Sequence, residues 1–173
     1  MSSIRKPPPL PLRLSCINPY MSHDSLPPNV TFDEAALAEP LSVLIHASRR
    51  AALSAGQTVL VYGVGTIGLL ACALAKSRGC SRVVAVDINQ ARLSFAKRHG
   101  FAEDVLCLPA CPKAKSPEEQ LRRARENADR ILEAFGDDNG FDVVFECTGA
   151  ESCIQMAIHV RNFPSVFPGF EVN

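Results

Sequence analysis

The feature that most constrains this chain is a glycine-spaced loop placed between a strand and a helix. Residues 63–68 read G-V-G-T-I-G. They directly follow the continuous apolar, β-branched run at 58–62, which is typical of a strand buried on both faces of a parallel sheet. An apolar helical segment begins within the loop. Strand, glycine turn and helix in this order predict one unit of a parallel α/β sheet.

Each glycine of this loop has a physical role that a side chain would prevent. Gly63 permits the tight turn, Gly65 lets the backbone approach a pyrophosphate, and Gly68 lets the helix pack closely on the strand. The free amides and positive dipole at the helix start then face the phosphates, with about 1 kcal/mol from the dipole. A glycine turn without a ligand is the alternative, and the strand and helix on either side make it the weaker one.

An acid at the end of the second strand favours NAD as the ligand. Asp87 closes the run R-V-V-A-V-D, 19 residues past Gly68, where a carboxylate can bind the hydroxyls of the adenosine ribose. It would repel the extra phosphate of NADP by about 4 kcal/mol at 4 Å and an effective dielectric near 20. That corresponds to a preference of roughly hundreds-fold for NAD. Asp87 could also cap the next helix, and Arg92 could pair with a 2′-phosphate, but Asp87 favours NAD.

The remaining pattern alternates strands with helices. Strands are predicted at 82–86, 105–108 and 141–146, and helices at 67–78, 90–99, 117–135 and 151–160. This alternation predicts a partial doubly wound, Rossmann-type parallel sheet of about four strands with right-handed crossovers. Before it, Thr31 and Glu34 form a capping box for a short helix that ends at about Glu39. Pro40 is then expected to begin a second helix, which runs to about Ser54.

Composition excludes several classes of protein. Eighteen basic and eighteen acidic residues give zero net charge, which argues against a nucleic-acid binder. No segment reaches the length of a membrane span, so no membrane partner is expected. Seven cysteines, an odd number without a C-x-x-C pair, indicate reduced thiols in a cytoplasmic protein and small apolar packing rather than a zinc knuckle.

Four short motifs together carry a family resemblance. They are E-P-L-S-V at 39–43, the glycine loop at 63–68, V-D-I at 86–88 and E-C-T-G-A-E at 146–151. From about residue 26 to 160 the chain resembles the sorbitol, xylitol and L-arabinitol dehydrogenases, the polyol branch of the zinc-containing medium-chain dehydrogenases. The resemblance implies hydride transfer from a secondary alcohol of a polyol to NAD beside a zinc ion, and a homo-oligomer as a possible assembly.

The resemblance also implies roles for individual positions. Glu39 matches a glutamate that reaches toward the catalytic zinc and its water, although taken alone it is a carboxylate stabilised by a helix dipole. The remaining matches are cofactor contacts: Thr66 and Ile67 at the pyrophosphate, Asp87 and Arg92 at the adenosine ribose, and Thr148 and Gly149 at the wall near the cofactor riboses.

The family resemblance also divides the chain into segments and indicates which parts of the family it lacks. We expect a disordered lead-in at 1–29, connecting helices at 30–56, an incomplete NAD-binding domain at 57–160, and a tail at 161–173 that departs from the family pattern. The zinc ligands of the family, a cysteine and a histidine–glutamate pair, have no G-H-E counterpart here. The chain is therefore expected to be a truncated piece, inactive alone. A non-catalytic NAD-binding module and a fragment without function are the alternatives.

Overall fold

The described residues form one sheet of four parallel strands. The structure, a computed structural model, describes residues 26–110, 114–136 and 139–160. The strands are β1 (Thr58–Tyr62), β2 (Arg82–Asp87), β3 (Asp104–Cys107) and β4 (Val143–Glu146). They pair in parallel in the order β3-β2-β1-β4. Because the strands are parallel, their carboxyl ends all lie at one edge of the sheet.

Six helices occur in the described residues. They are α1 (Phe32–Ala36), α2 (Ala38–Arg50), α3 (Thr66–Ser77), α4 (Gln90–Arg98), α5 (Pro117–Phe135) and α6 (Glu151–His159). The chain divides into two compact units between Ala36 and Leu37. In the first unit the predicted capping box is present, because the Thr31 amide donates to Glu34 at 2.8 Å and the Glu34 amide donates to the Thr31 hydroxyl at 3.2 Å.

Within the second unit, two apolar cores cover the two faces of the sheet. Side chains alternate along β1, so that Val59 and Val61 join one core and Leu60 and Tyr62 join the other. The first core includes buried residues of α2, α3 and α4, and the second those of α5 and α6. Helices on both faces of a parallel sheet confirm the predicted doubly wound α/β fold.

The second helix differs from its prediction at both ends. It begins at Ala38, not Pro40, and ends at Arg50, not Ser54. Pro40 is tolerated as the third residue, because amides of the first helical turn have no partner within the helix. Glu39 therefore lies inside the first turn of α2, not at the end of the preceding helix. After the helix, Ala52 adopts a φ of 49°, which breaks the helical conformation.

Some sequence expectations fall outside the part of the chain that the structure describes. The proposed disordered lead-in lies almost wholly in residues 1–25, and the divergent tail at 161–173 lies there entirely. Among the described helices, none is long and apolar enough to cross a membrane.

The close approach of Gly68 to Gly63 provides a test of the fold. A methyl carbon built on Gly68 would lie 1.7 Å from the carbonyl oxygen of Gly63, so Gly68→Ala must separate α3 from β1. We expect the free energy of unfolding to fall by about 3 kcal/mol, measured by urea denaturation. Gly65→Ala is the matched control, because its methyl would meet no atom within 4 Å, and it should cost about 1 kcal/mol or less. Equal losses would contradict this account.

Candidate functional site

The glycine loop at 63–68 connects β1 to α3 at the carboxyl edge of the sheet. Gly63 has a φ of 81°, and a methyl carbon there would lie 2.6 Å from the Thr148 side chain. Gly65 is the N-cap of α3 and offers no side chain to cap the helix. The first amides of α3, those of Thr66 and Ile67 among them, therefore stay open to an anion, and the space beside Gly65 is empty.

Asp87 ends β2 and supports this loop directly. One carboxylate oxygen accepts the Val64 amide at 2.8 Å, and the other accepts the Asn89 amide at 2.8 Å. Each oxygen keeps a further lone pair, which a ribose hydroxyl can use. The alternative role as cap of α4 is not the one observed. Asn89 caps that helix by accepting the amides of Ala91 and Arg92 at 3.0 and 3.2 Å.

Arg92 lies in the first turn of α4, and its side chain is exposed. It follows the Asp87 strand end by five residues, so it belongs to the same end of the sheet. The assignment of Arg92 to the adenosine ribose stays a prediction.

Glu146, which sequence reasoning missed as a site residue, organises the loop after β4. The residue is 8% exposed, and its carboxylate accepts the Thr148 amide at 2.7 Å, the Thr148 hydroxyl and the Gly149 amide at 3.1 Å. Since the Thr148 methyl faces Gly63, Glu146 fixes the distance between the β4 loop and the glycine loop. The available signal was an acid that ends the apolar strand V-V-F-E, because a buried carboxylate requires donors.

A cavity of about 660 Å³ opens beside these groups. It lies between the strand ends and the helices α5 and α6, and its walls include Asp87, Ile88, Thr148 and Pro109. This volume is in the range of small-molecule sites, and its place at the carboxyl ends of parallel strands is where α/β sheets bind ligands. The structure thus brings Asp87 and Thr148 to one cavity.

Glu39 is exposed in the first turn of α2. No group of three or more histidine, cysteine, aspartate or glutamate side chains that could hold a metal occurs within residues 26–110, 114–136 and 139–160. A catalytic zinc needs about three protein ligands and an open position. The described residues therefore do not fit a zinc centre, and the role of Glu39 near zinc stays a prediction.

Among the described cysteines, Cys72 packs in the apolar interior as the sequence predicts, whereas Cys107 is exposed. Burial raises the pKa of Cys72 to about 12, and Cys72 lies in the first core with no exposed surface. Burial, with Glu146 nearby, likewise raises the pKa of Cys147 to about 12. Both side chains are therefore protonated thiols at neutral pH, and neither is an activated nucleophile.

The fold and loop define a dinucleotide-binding type of α/β domain. The chain belongs to the zinc-binding dehydrogenase family, whose model matches residues 66–163. It is similar to D-xylulose reductase A of Aspergillus niger, at 42% identity over 78% of this chain and 34% of that protein. D-xylulose reductase A of Aspergillus oryzae is 39% identical over the same shares. The polyol-dehydrogenase resemblance is thus confirmed, and the chain spans about a third of these relatives' length.

Solved structures agree with this family. The chain is similar to galactitol-1-phosphate dehydrogenase from Escherichia coli, with a TM-score of 0.59 and 25% identity over 81% of this chain and 36% of that one. L-idonate 5-dehydrogenase from Escherichia coli gives a TM-score of 0.55 and 28% identity, over 78% of this chain and 33% of that one.

The bonds of Glu146 predict a local effect of its removal. Glu146→Gln places an amide group against one of the donors of Thr148 or Gly149, so the free energy of unfolding should fall by about 1–3 kcal/mol. Hydrogen exchange at the amides of Thr148 and Gly149, followed by NMR, should accelerate more than exchange in β1. Glu133→Gln, an exposed change on α5, is the control. Unchanged exchange at Thr148 and Gly149 would remove Glu146 from this role.

Proposed function

We propose that this chain is the NAD-binding portion of a zinc-dependent polyol dehydrogenase, and that it binds NAD at the carboxyl edge of its sheet. The observation that carries the proposal is the uncapped start of α3 at Gly65, with Asp87 bonded to the same loop through the Val64 amide at 2.8 Å. The open amides suit a pyrophosphate, and the carboxylate suits ribose hydroxyls.

The residues present fit the adenosine half of the cofactor. In this proposal the amides of Thr66 and Ile67 bind the pyrophosphate, while Asp87 binds the ribose with Arg92 beside it. Thr148 and Gly149, held by Glu146, form the wall near the cofactor riboses. Bound NAD would supply the hydride acceptor for oxidation of a secondary alcohol. The chain's own contribution is to bind and orient that cofactor.

Several properties of the whole enzyme belong to the same proposal. The family and the D-xylulose reductase relatives support a polyol as substrate. The role of Glu39 beside the zinc site follows from the polyol-dehydrogenase resemblance alone. The polyol-dehydrogenase resemblance implies a homo-oligomer as a possible assembly of the whole enzyme. The free cysteines of the described residues support a reducing, cytoplasmic location.

Calorimetric titration with NAD tests the binding proposal. We expect micromolar-to-millimolar affinity, and NADP should bind roughly a hundredfold more weakly because of the Asp87 charge. Asp87→Ala removes acceptors of the ribose hydroxyls, so the affinity for NAD should fall by about tenfold to a hundredfold. The preference for NAD over NADP should shrink in the same variant.

Two variants separate binding from folding in this experiment. Asp129→Ala removes an exposed carboxylate from α5 and should leave NAD affinity unchanged. Gly65→Ala should stay folded yet lose binding, because its methyl occupies the space left for the pyrophosphate. The proposal is wrong if a folded wild-type chain produces no heat with NAD.

The chain is expected to catalyse no polyol oxidation by itself. The described residues hold no cluster of metal ligands, and the sequence contains no G-H-E motif. The measurement is NADH formation, followed by its absorbance at about 340 nm. With sorbitol or xylitol, NAD and zinc, the rate should stay at the level of a blank without protein. D-xylulose reductase A of Aspergillus niger is the positive control. Zinc-dependent turnover by this chain would contradict the expectation.

A further inference from the structure

Tyr62 has a buried hydroxyl for which the structure offers no partner. It is the last residue of β1, is 1% exposed and faces the core formed with α5 and α6. Its hydroxyl oxygen is buried and has no hydrogen bond to any of the described residues. Buried hydroxyl groups in native proteins are generally bonded, because the unpaired group loses its interaction with water. The vacant bonding capacity therefore needs an explanation.

The position of Tyr62 beside the cavity explains its unpaired hydroxyl. Tyr62 lines the same cavity as Asp87, the acid assigned to the adenosine ribose. Burial raises the pKa of the Tyr62 hydroxyl above its usual value, and Cys153 and Glu146 nearby raise it further. The group therefore stays neutral at every pH at which the protein would work. A neutral hydroxyl can both donate and accept a hydrogen bond.

The residues that line the cavity indicate which part of a dinucleotide could lie against Tyr62. The glycine loop and Asp87 already provide for the phosphates and the ribose. Beside Tyr62, the remaining wall includes the apolar side chains of Val86, Leu108 and Met156. It also includes polar and charged residues: Gln120, Arg123, Asn127, Glu151 and Ser152. A flat ring with polar atoms at its edge suits such a wall. A second phosphate is opposed by the Asp87 and Glu151 carboxylates in the same cavity, while the Arg123 guanidinium there is already paired with Glu119 at 2.6 Å.

We propose that the Tyr62 hydroxyl hydrogen-bonds the purine base of the bound dinucleotide and thereby selects for it. The inference rests on the proposed NAD site and adds a base-recognising residue to it. Since the hydroxyl has no partner among the described residues, its removal takes no hydrogen bond from that part of the chain. Tyr62→Phe is therefore a variant that should fold normally and change binding alone.

The first test compares AMP with ribose 5-phosphate, which is AMP without its base. Both are titrated by NMR at up to millimolar concentrations into the full chain. In Tyr62→Phe the affinity for AMP should fall by about fivefold to tenfold, the loss of one hydrogen bond. The affinity for ribose 5-phosphate should stay within about twofold. Tyr20→Phe is the matched control, because Tyr20 is the other of the two tyrosines.

A second measurement reads the hydroxyl directly. In the Tyr20→Phe variant, tyrosine labelled with carbon-13 at Cζ reports Tyr62 alone. Its signal should shift on addition of AMP and stay in place on addition of ribose 5-phosphate, because only the base reaches the hydroxyl. A loss of binding caused by altered packing would not produce this difference.

The possible outcomes are distinguishable. If NAD and AMP bind to the wild type, Asp87→Ala weakens them, and Tyr62→Phe has no effect, the NAD proposal stands and this inference is overturned, with a buried water as the partner of the hydroxyl. Equal weakening of AMP and ribose 5-phosphate would also overturn it. A folded wild-type chain that binds no NAD overturns both proposals.

Discussion

The second unit of this protein depends on the contact between the backbone of Gly63 and the α-carbon of Gly68. At this point the end of β1 and the first turn of α3 are so close that no side chain fits between them. The contact sets the direction in which α3 leaves the sheet, and hence the direction of its open amides. An anion site and a tight strand–helix junction are thus the same structural feature.

Two carboxylates hold this junction from either side, and their charges restrict what can bind there. Asp87 bonds the Val64 amide, and Glu146 positions Thr148 against Gly63. Both are negative groups near a site proposed for a pyrophosphate, where the positive end of α3 must offset them. Asp87 supports the loop and, in the proposed site, also accepts ribose hydroxyls, so a substitution there changes both together.

The sequence predicts the parts of this structure that depend on local patterns. Apolar runs locate the strands, alternation with helices indicates the doubly wound sheet, and the glycine spacing locates the loop, because these signals arise within a few residues of one another. The boundary at Ala38 was missed, since a proline in the first turn is tolerated at more than one position. Glu146 was missed because a local pattern does not show that its carboxylate is buried and bonded to Thr148 and Gly149. Tyr62 was missed because the burial of its hydroxyl depends on how α5 and α6 pack on the sheet.

The proposed nucleotide site and the proposed zinc centre require different groups from the chain. Loop amides, Asp87 and the Glu146–Thr148 pair all come from the ends of three adjacent strands, so forming the sheet brings them together. A zinc centre needs several donors that converge on one point, and the described residues contain no such group. Binding of NAD is therefore a property that this sheet can possess without catalysis. Titration with NAD therefore tests the carboxyl edge of the sheet. An assay of polyol oxidation tests for a set of zinc ligands that the described residues do not provide.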